Sequence, residues 1–99
     1  SIARNEASPV KLFEYMASGR PIVVADLPSM REIVDDSMVW FFEPDNPRAL
    51  VSIARLALSN QEEAEKRIKR AAEEVKNYTW EKRAQNILSF VNKNAHSIS

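Results

Sequence analysis

Two carboxylates with a short run of hydrogen-bond donors between them are the residues of this chain best placed to do chemistry. Glu6 and Glu14 are separated by seven residues, among them Ala7, Ser8, Pro9, Val10 and Lys11. Ser8 suits a helix N-cap, its side-chain oxygen accepting from a free backbone N–H of the first turn. Pro9 then falls at the first helical position, where its missing N–H costs nothing and its fixed φ fits a helix. The first turn of such a helix leaves N–H groups unpaired, and the macrodipole adds partial positive charge there. Ser8, Val10 and Lys11 can therefore present donors to an anion such as a phosphate, and the N–H groups of Ala7 and Ser8 join them if the loop curls inward. Glu6 lies in the loop, and Glu14 lies about 9 Å along the helix at ~1.5 Å per residue. A carboxylate on either side of an anion site suits a ligand carrying phosphates and hydroxyls together. On spacing alone, the same pattern also describes two surface carboxylates on an ordinary capped helix.

The elements that must hold these groups are legible around them. Gly19, the only glycine, falls where a helix end favours a left-handed residue, and Pro21 forbids continuation. Lys11, Glu14 and Ser18 share a polar face, while Val10, Leu12, Phe13, Met16 and Ala17 form a broad apolar face for burial. Pro21-Ile22-Val23-Val24-Ala25 is a β-branched apolar run that predicts a strand buried on both faces of a parallel sheet. Asp26-Leu27-Pro28 is the turn at its carboxyl end, where open α/β sheets place ligands. Ser29 with Glu32 reads as a capping box opening a short helix to about Asp35. Met38–Phe42 is a second strand, with core packing favoured over a stacking platform for a base. Asn46 and Pro47 start a helix ending near Leu58, with Leu50, Ile53, Ala54 and Ala57 inward. Asn60 with Glu63 starts another, striped by Ala64, Ile68, Ala71, Ala72 and Val75. Glu62–Lys66, Glu63–Arg67 and Glu65–Lys69 are i,i+4 pairs on its solvated face. Thr79 caps a last helix, with Trp80, Ala84, Ile87, Leu88 and Val91 inward.

Those residues, in that order, carry a resemblance. Glu6-x7-Glu14 followed by Tyr-Met-Ala-Ser-Gly-Arg-Pro-Ile-Val-Val-Ala-Asp resembles the nucleotide-sugar signature of the GT4 family, retaining glycosyltransferases of the GT-B fold. The likeness continues through Leu27-Pro28-Ser29-Met30-Arg31-Glu32-Ile33-Val34, Phe42-Glu43-Pro44-Asp45-Asn46-Pro47 and Tyr78-Thr79-Trp80-Glu81, to about residue 90. Where many members have Gly-Phe-Gly after the first Glu, this chain has the Ala7-Ser8-Pro9 of a subfamily variant. The resemblance implies an α/β fold, a partial Rossmann-like parallel sheet with a helical C-terminal portion. It implies that residues 1–45 are the donor-binding part and 46–99 the C-terminal helices of one partial domain. It also implies a role for each site residue. Glu6, the catalytic candidate, would bind hydroxyls of the donor sugar, Glu14 would bind the ribose, and Ala7, Ser8, Val10 and Lys11 would hold the diphosphate. The donor is a nucleotide-diphosphate sugar, with no further cofactor and no metal. The acceptor comes from an N-terminal domain across the cleft.

Composition bounds the alternatives. Apolar content of 44% with 28% charged residues belongs to an ordinary globular chain. A formal net charge of zero, with no basic motif, gives no electrostatic case for nucleic acid. Without cysteine there is no disulfide or thiolate metal site, and a reducing, cytoplasmic setting is expected. No Asp-x-Asp motif, metal-ligand spacing or Ser–His–Asp set appears, and His96 sits in a polar tail. Ser1-Ile2-Ala3-Arg4 is read as leading into the loop with no strand before it, so the chain is expected to be part of a longer enzyme. Peripheral membrane association of that enzyme and self-association of the isolated part are further expectations. The alternative function is a non-catalytic α/β interaction or regulatory module; a phosphorylase or sugar-nucleotide epimerase of the same fold fits the motifs less well.

Overall fold

In the computed structural model, which describes residues 2–78 and 80–98, eight elements follow in order. They are β1 (Ala3–Asn5), α1 (Pro9–Met16), β2 (Ile22–Ala25), α2 (Pro28–Arg31), β3 (Trp40–Phe42), α3 (Pro47–Ser59), α4 (Gln61–Lys76) and α5 (Trp80–Ile98). The strands form one parallel sheet ordered β1-β2-β3, with Ala3 opposite Ile22 and Val23 opposite Trp40. This is the expected α/β architecture.

The sheet is covered on both faces because β2 is apolar at every position. Ile22 and Val24 pack with Leu12, Phe13 and Met16 of α1, and with Ala71 and Val75 of α4. Val23 and Ala25 turn the other way, joining Trp40, Phe42, Ala57 of α3 and Ala64 of α4. Burying a side chain such as Leu12, which is 0% exposed, contributes about 1.5–3 kcal/mol. Helix α4 contributes to both clusters and so wraps the β3 edge. Arg67, placed between Ala64 and Ala71, anchors α4 at the start of that edge. Its Nη1 donates to the Val39 carbonyl at 3.0 Å, its Nε donates to Glu63 at 3.0 Å, and its guanidinium lies 4.2 Å from the Trp40 ring centroid.

Several local expectations need correction. The segment before the Glu6 loop is a strand after all: Ala3–Asn5 pairs with β2, although Ala-Arg-Asn shows no apolar alternation. The Ser29–Glu32 capping box does not form. Pro28 takes the first helical position, so Leu27 is the N-cap without a side-chain bond and Glu32 falls at the C-cap. Helix α1 stops at Met16, earlier than Gly19. The Ser18 amide and hydroxyl both donate to the Tyr15 carbonyl, at 3.0 and 2.6 Å, and Gly19 takes φ +74° in the turn beyond. Val10 is 46% exposed and Ala17 is also exposed, so the buried face of α1 is narrower than predicted. Met38 and Val39 are buried but precede the strand. Asn60 begins α4 without a side-chain cap bond, and of the three predicted ion pairs along α4 only Glu63–Arg67 forms. The Asn46–Pro47 start of α3 holds, Asn46 accepting from the Ala49 amide at 3.1 Å. The expected Thr79 cap lies outside the described residues, as do the side chains of Trp80 and His96, while Leu88 and Val91, expected inward, are 59% and 51% exposed.

Candidate functional site

The carboxyl end of β1 and the start of α1 create the candidate site. Ser8 is the N-cap, with its hydroxyl oxygen accepting from the Lys11 amide at 3.3 Å, and Pro9 occupies the first helical position. Leu12, Phe13 and Met16 seat the helix in the core, and Phe13 meets Tyr78 with ring centroids 5.3 Å apart. Burial and the neighbouring Glu74 carboxylate raise the Tyr78 pKa. The opposite face of α1 is left to solvent, and it carries the polar groups.

Glu6 follows β1 with its side chain 59% exposed, ion-paired to Arg4. Glu14 stands on α1, 61% exposed, 3.5 Å from the Lys11 ammonium. Both carboxylates are therefore accessible from solvent. A cleft of about 470 Å³ runs from Arg4 and Glu6 past Ser8, Val10 and Lys11 to Ile87 and Phe90 of α5. Glu14 instead borders an adjoining cavity of about 350 Å³ with Phe13, Arg83 and Ala84. Val10 and Ile87 line both, so the two cavities share a wall. Glu6 also faces a third hollow of about 560 Å³ at the ends of β1 and β3, lined by Phe42, Asp45 and Leu50. The structure thus gathers Glu6, Ala7, Ser8, Val10 and Lys11 along one cleft and sets Glu14 next door.

The donors of the first turn are not equally free. The Ala7 and Ser8 amides point inward to the Asn5 side chain, at 3.1 and 2.9 Å, and the Lys11 amide is held by Ser8. The Val10 amide has no acceptor among the described residues. Ser8, Val10 and Lys11 all line the cleft at this positive end of the helix dipole. Asn5, at 3% exposure, is the organising residue that sequence reasoning missed. The available signal was a polar residue two positions after Ala3, on the same face of a strand that went unrecognised.

Asp26, at the carboxyl end of β2, is already committed. Its carboxylate accepts from Arg31 at 2.7 and 3.1 Å, and that pairing holds its pKa below the usual aspartate range. Arg31 also bonds Asp36 at 3.2 Å and lies 3.9 Å from the Phe41 ring centroid, fastening α2 to the sheet. Trp40 and Phe42 are 4% exposed and belong to the core, so neither offers a stacking platform. Among the described residues no three His, Cys, Asp or Glu side chains gather to hold a metal, and no helix is long and apolar enough to cross a membrane.

Comparison with known proteins agrees with this architecture. The sequence model of the family described as Glycosyl transferases group 1 matches residues 1–75. Among solved structures, sucrose-phosphate synthase from Thermosynechococcus elongatus superposes with a TM-score of 0.66 at 18% identity. That likeness of fold covers 91% of this chain and 23% of the other, so the chain spans about a quarter of the solved protein's length. No curated protein matches the chain.

Proposed function

The chain belongs to the group 1 glycosyl transferases, and on that premise we propose that it is the donor-binding part of a retaining enzyme of the GT4 type. It would take a sugar from a nucleotide-diphosphate sugar and pass it to an acceptor. Residues 1–45 form the donor-binding portion, and residues 46–99 supply the C-terminal helices of the C-terminal domain. The acceptor is bound by a separate N-terminal domain across the cleft, and the enzyme works in the cytoplasm.

One observation carries this reading: the Glu6 carboxylate and the first turn of α1 open into one cleft, with the Val10 amide unspent. In the proposed arrangement Glu6 accepts from the donor sugar's hydroxyls, at the reacting end. The Val10 amide, Ser8 hydroxyl and Lys11 ammonium receive the diphosphate. Glu14, beyond the shared wall, accepts from the ribose hydroxyls. As the bond between sugar and phosphate breaks, negative charge builds on the leaving diphosphate. Fixed donors at a helix N-terminus stabilise that charge without reorganising. No metal ion and no further cofactor are needed for this role. Family membership favours this reading over a free-standing interaction module.

The test is thermal protection of the natural protein by UDP- and GDP-sugars, followed by transfer assays on two variants. Glu6→Gln is expected to cut turnover without moving the melting midpoint, since Glu6 is exposed. Glu14→Ala is expected to weaken donor binding. Undiminished transfer by both would overturn the assignments, and absence of protection by every nucleotide sugar would overturn the donor role.

A further inference from the structure

Asn5 is the buried polar residue of the core among the described residues, and it borders the cleft of the proposed anion site. Ala3 and Asn5 are both buried while Arg4 between them is exposed, as strand alternation requires. The Asn5 carboxamide therefore points under the entry to α1. A buried amide is costly unless its donors and acceptor are met, and this one is met three times. Its Oδ1 accepts from the Ala7 amide at 3.1 Å and the Ser8 amide at 2.9 Å, and its Nδ2 donates to the Ser8 carbonyl at 2.7 Å. The same Ser8 carbonyl also accepts from the Leu12 amide at 3.0 Å, the first bond of the helix. One side chain thus ties the end of β1 to the first turn of α1 through both sides of Ser8.

We infer that Asn5 is a positioning residue for the diphosphate, an inference that rests on the donor reading above. By holding the Ala7 and Ser8 amides inward, it decides which donors face the cleft. Those are the Val10 amide, the Ser8 hydroxyl and the Lys11 ammonium. It also fixes the chain on either side of Glu6, which stands between Asn5 and Ala7 and is turned out to the rim. The loop is ordered before the anion arrives, so its conformational freedom is not lost again on binding. Asn5 itself touches neither sugar nor phosphate.

The measurement is affinity of the full natural protein for UDP, GDP and ADP, each compared with its uncharged nucleoside, in wild type, Asn5→Ala and Asn5→Asp. Wild type should bind at least one diphosphate. Asn5→Ala should weaken that diphosphate tenfold or more and leave the matching nucleoside within twofold, because only the phosphate-facing loop is released. Asn5→Asp keeps the acceptor for both amides but loses the Nδ2 donor and sets a carboxylate oxygen against the Ser8 carbonyl. It too should therefore lose diphosphate affinity while leaving the matching nucleoside within twofold. A purely structural Asn5 would instead lower the melting point and the active fraction while sparing relative affinities. Equal loss of diphosphate and nucleoside in Asn5→Ala, or no loss of either, overturns the inference. If Asn5→Ala does not fold, Asn5→Asp is read in its place: selective loss of the diphosphate supports the inference, and equal loss of diphosphate and nucleoside, or no loss of either, overturns it. A wild type that binds none of the three diphosphates removes the donor reading, and this inference with it.

Discussion

Replacing Arg67 by Met should cost about 3 kcal/mol of stability, a figure that follows from the three contacts of the guanidinium. A hydrogen bond from a charged donor to a buried carbonyl contributes ~1.5–3 kcal/mol, and the Val39 carbonyl loses that donor. The stack on Trp40 contributes ~0.5–1 kcal/mol at an exposed site and up to ~2 when desolvated, and the Arg67 side chain is 19% exposed. The pair with Glu63, itself 41% exposed, is screened and contributes ~0.2–1 kcal/mol. These contributions overlap, so the sum is an upper bound. Met preserves the aliphatic stem across the indole and has a helix propensity close to that of Arg, so neither packing nor α4 itself is altered much. The assay is urea unfolding of the purified protein followed by tryptophan fluorescence. At ~1–3 kcal/mol per molar urea, a 3 kcal/mol loss moves the midpoint by roughly 1 M or more. Glu63→Gln serves as the control, removing only the screened pair, and should stay within about 1 kcal/mol of wild type. An Arg67→Met variant that unfolds within about 0.5 kcal/mol of wild type would refute the reasoning, as would a Glu63→Gln variant equally impaired.

Gly19→Ala should cost ~1–2 kcal/mol from backbone conformation alone, because φ is +74° while nothing lies within 4 Å of the added methyl. Gly19→Asn should cost visibly less, and equal melting points for wild type and Gly19→Ala would contradict this. Asn46→Ala should lose ~1 kcal/mol with the cap to the Ala49 amide, read as a lower urea midpoint. Asp26 and Asp35 both titrate below the ordinary aspartate range, Asp26 through Arg31 and Asp35 through the Ser37 hydroxyl and amide. Their contribution is complete above the unfolded aspartate pKa and disappears as pH falls through the lowered folded values. An acid melting series should therefore show Asp26→Asn and Asp35→Asn converging on wild type only at the acid end, and parallel curves would contradict the assignment.

The parts of the fold legible in the sequence are those specified by neighbouring residues. Ser8-Pro9 and Asn46-Pro47 pair a capping side chain with a preset φ, and both start helices where expected. The four apolar residues of β2 left no other partner but a sheet covered on both faces. Strand β1 was hidden because Ala-Arg-Asn has little strand preference of its own; its pairing with β2 makes it a strand. The Ser29–Glu32 pattern misled because Pro28, one residue earlier, fits the first helical position better than a residue outside the helix. At the site, the Ser8–Pro9 helix start and the two flanking carboxylates were visible in the sequence, although their spacing alone equally described an ordinary capped helix. The choice among donors was not, since it depends on where the Asn5 side chain points, and that follows from a strand the local pattern did not announce.

The sheet's spatial order is also its order along the chain, and this has a consequence in time. The partners Ala3 and Ile22 lie 19 positions apart, and Val23 and Trp40 lie 17 apart. Closing two loops of such similar length differs in entropy by only ~0.1 kcal/mol, so neither pairing has reason to wait for the other. A chain emerging from the ribosome can lay β2 on β1 and then β3 on β2, each beside the strand just made. Helix α4 is synthesised afterwards, and it brings Ala64, Arg67, Ala71 and Val75 over an edge that has stood open until then. During synthesis, the interval before Arg67 arrives is therefore when β3 is most exposed to pairing with the wrong neighbour.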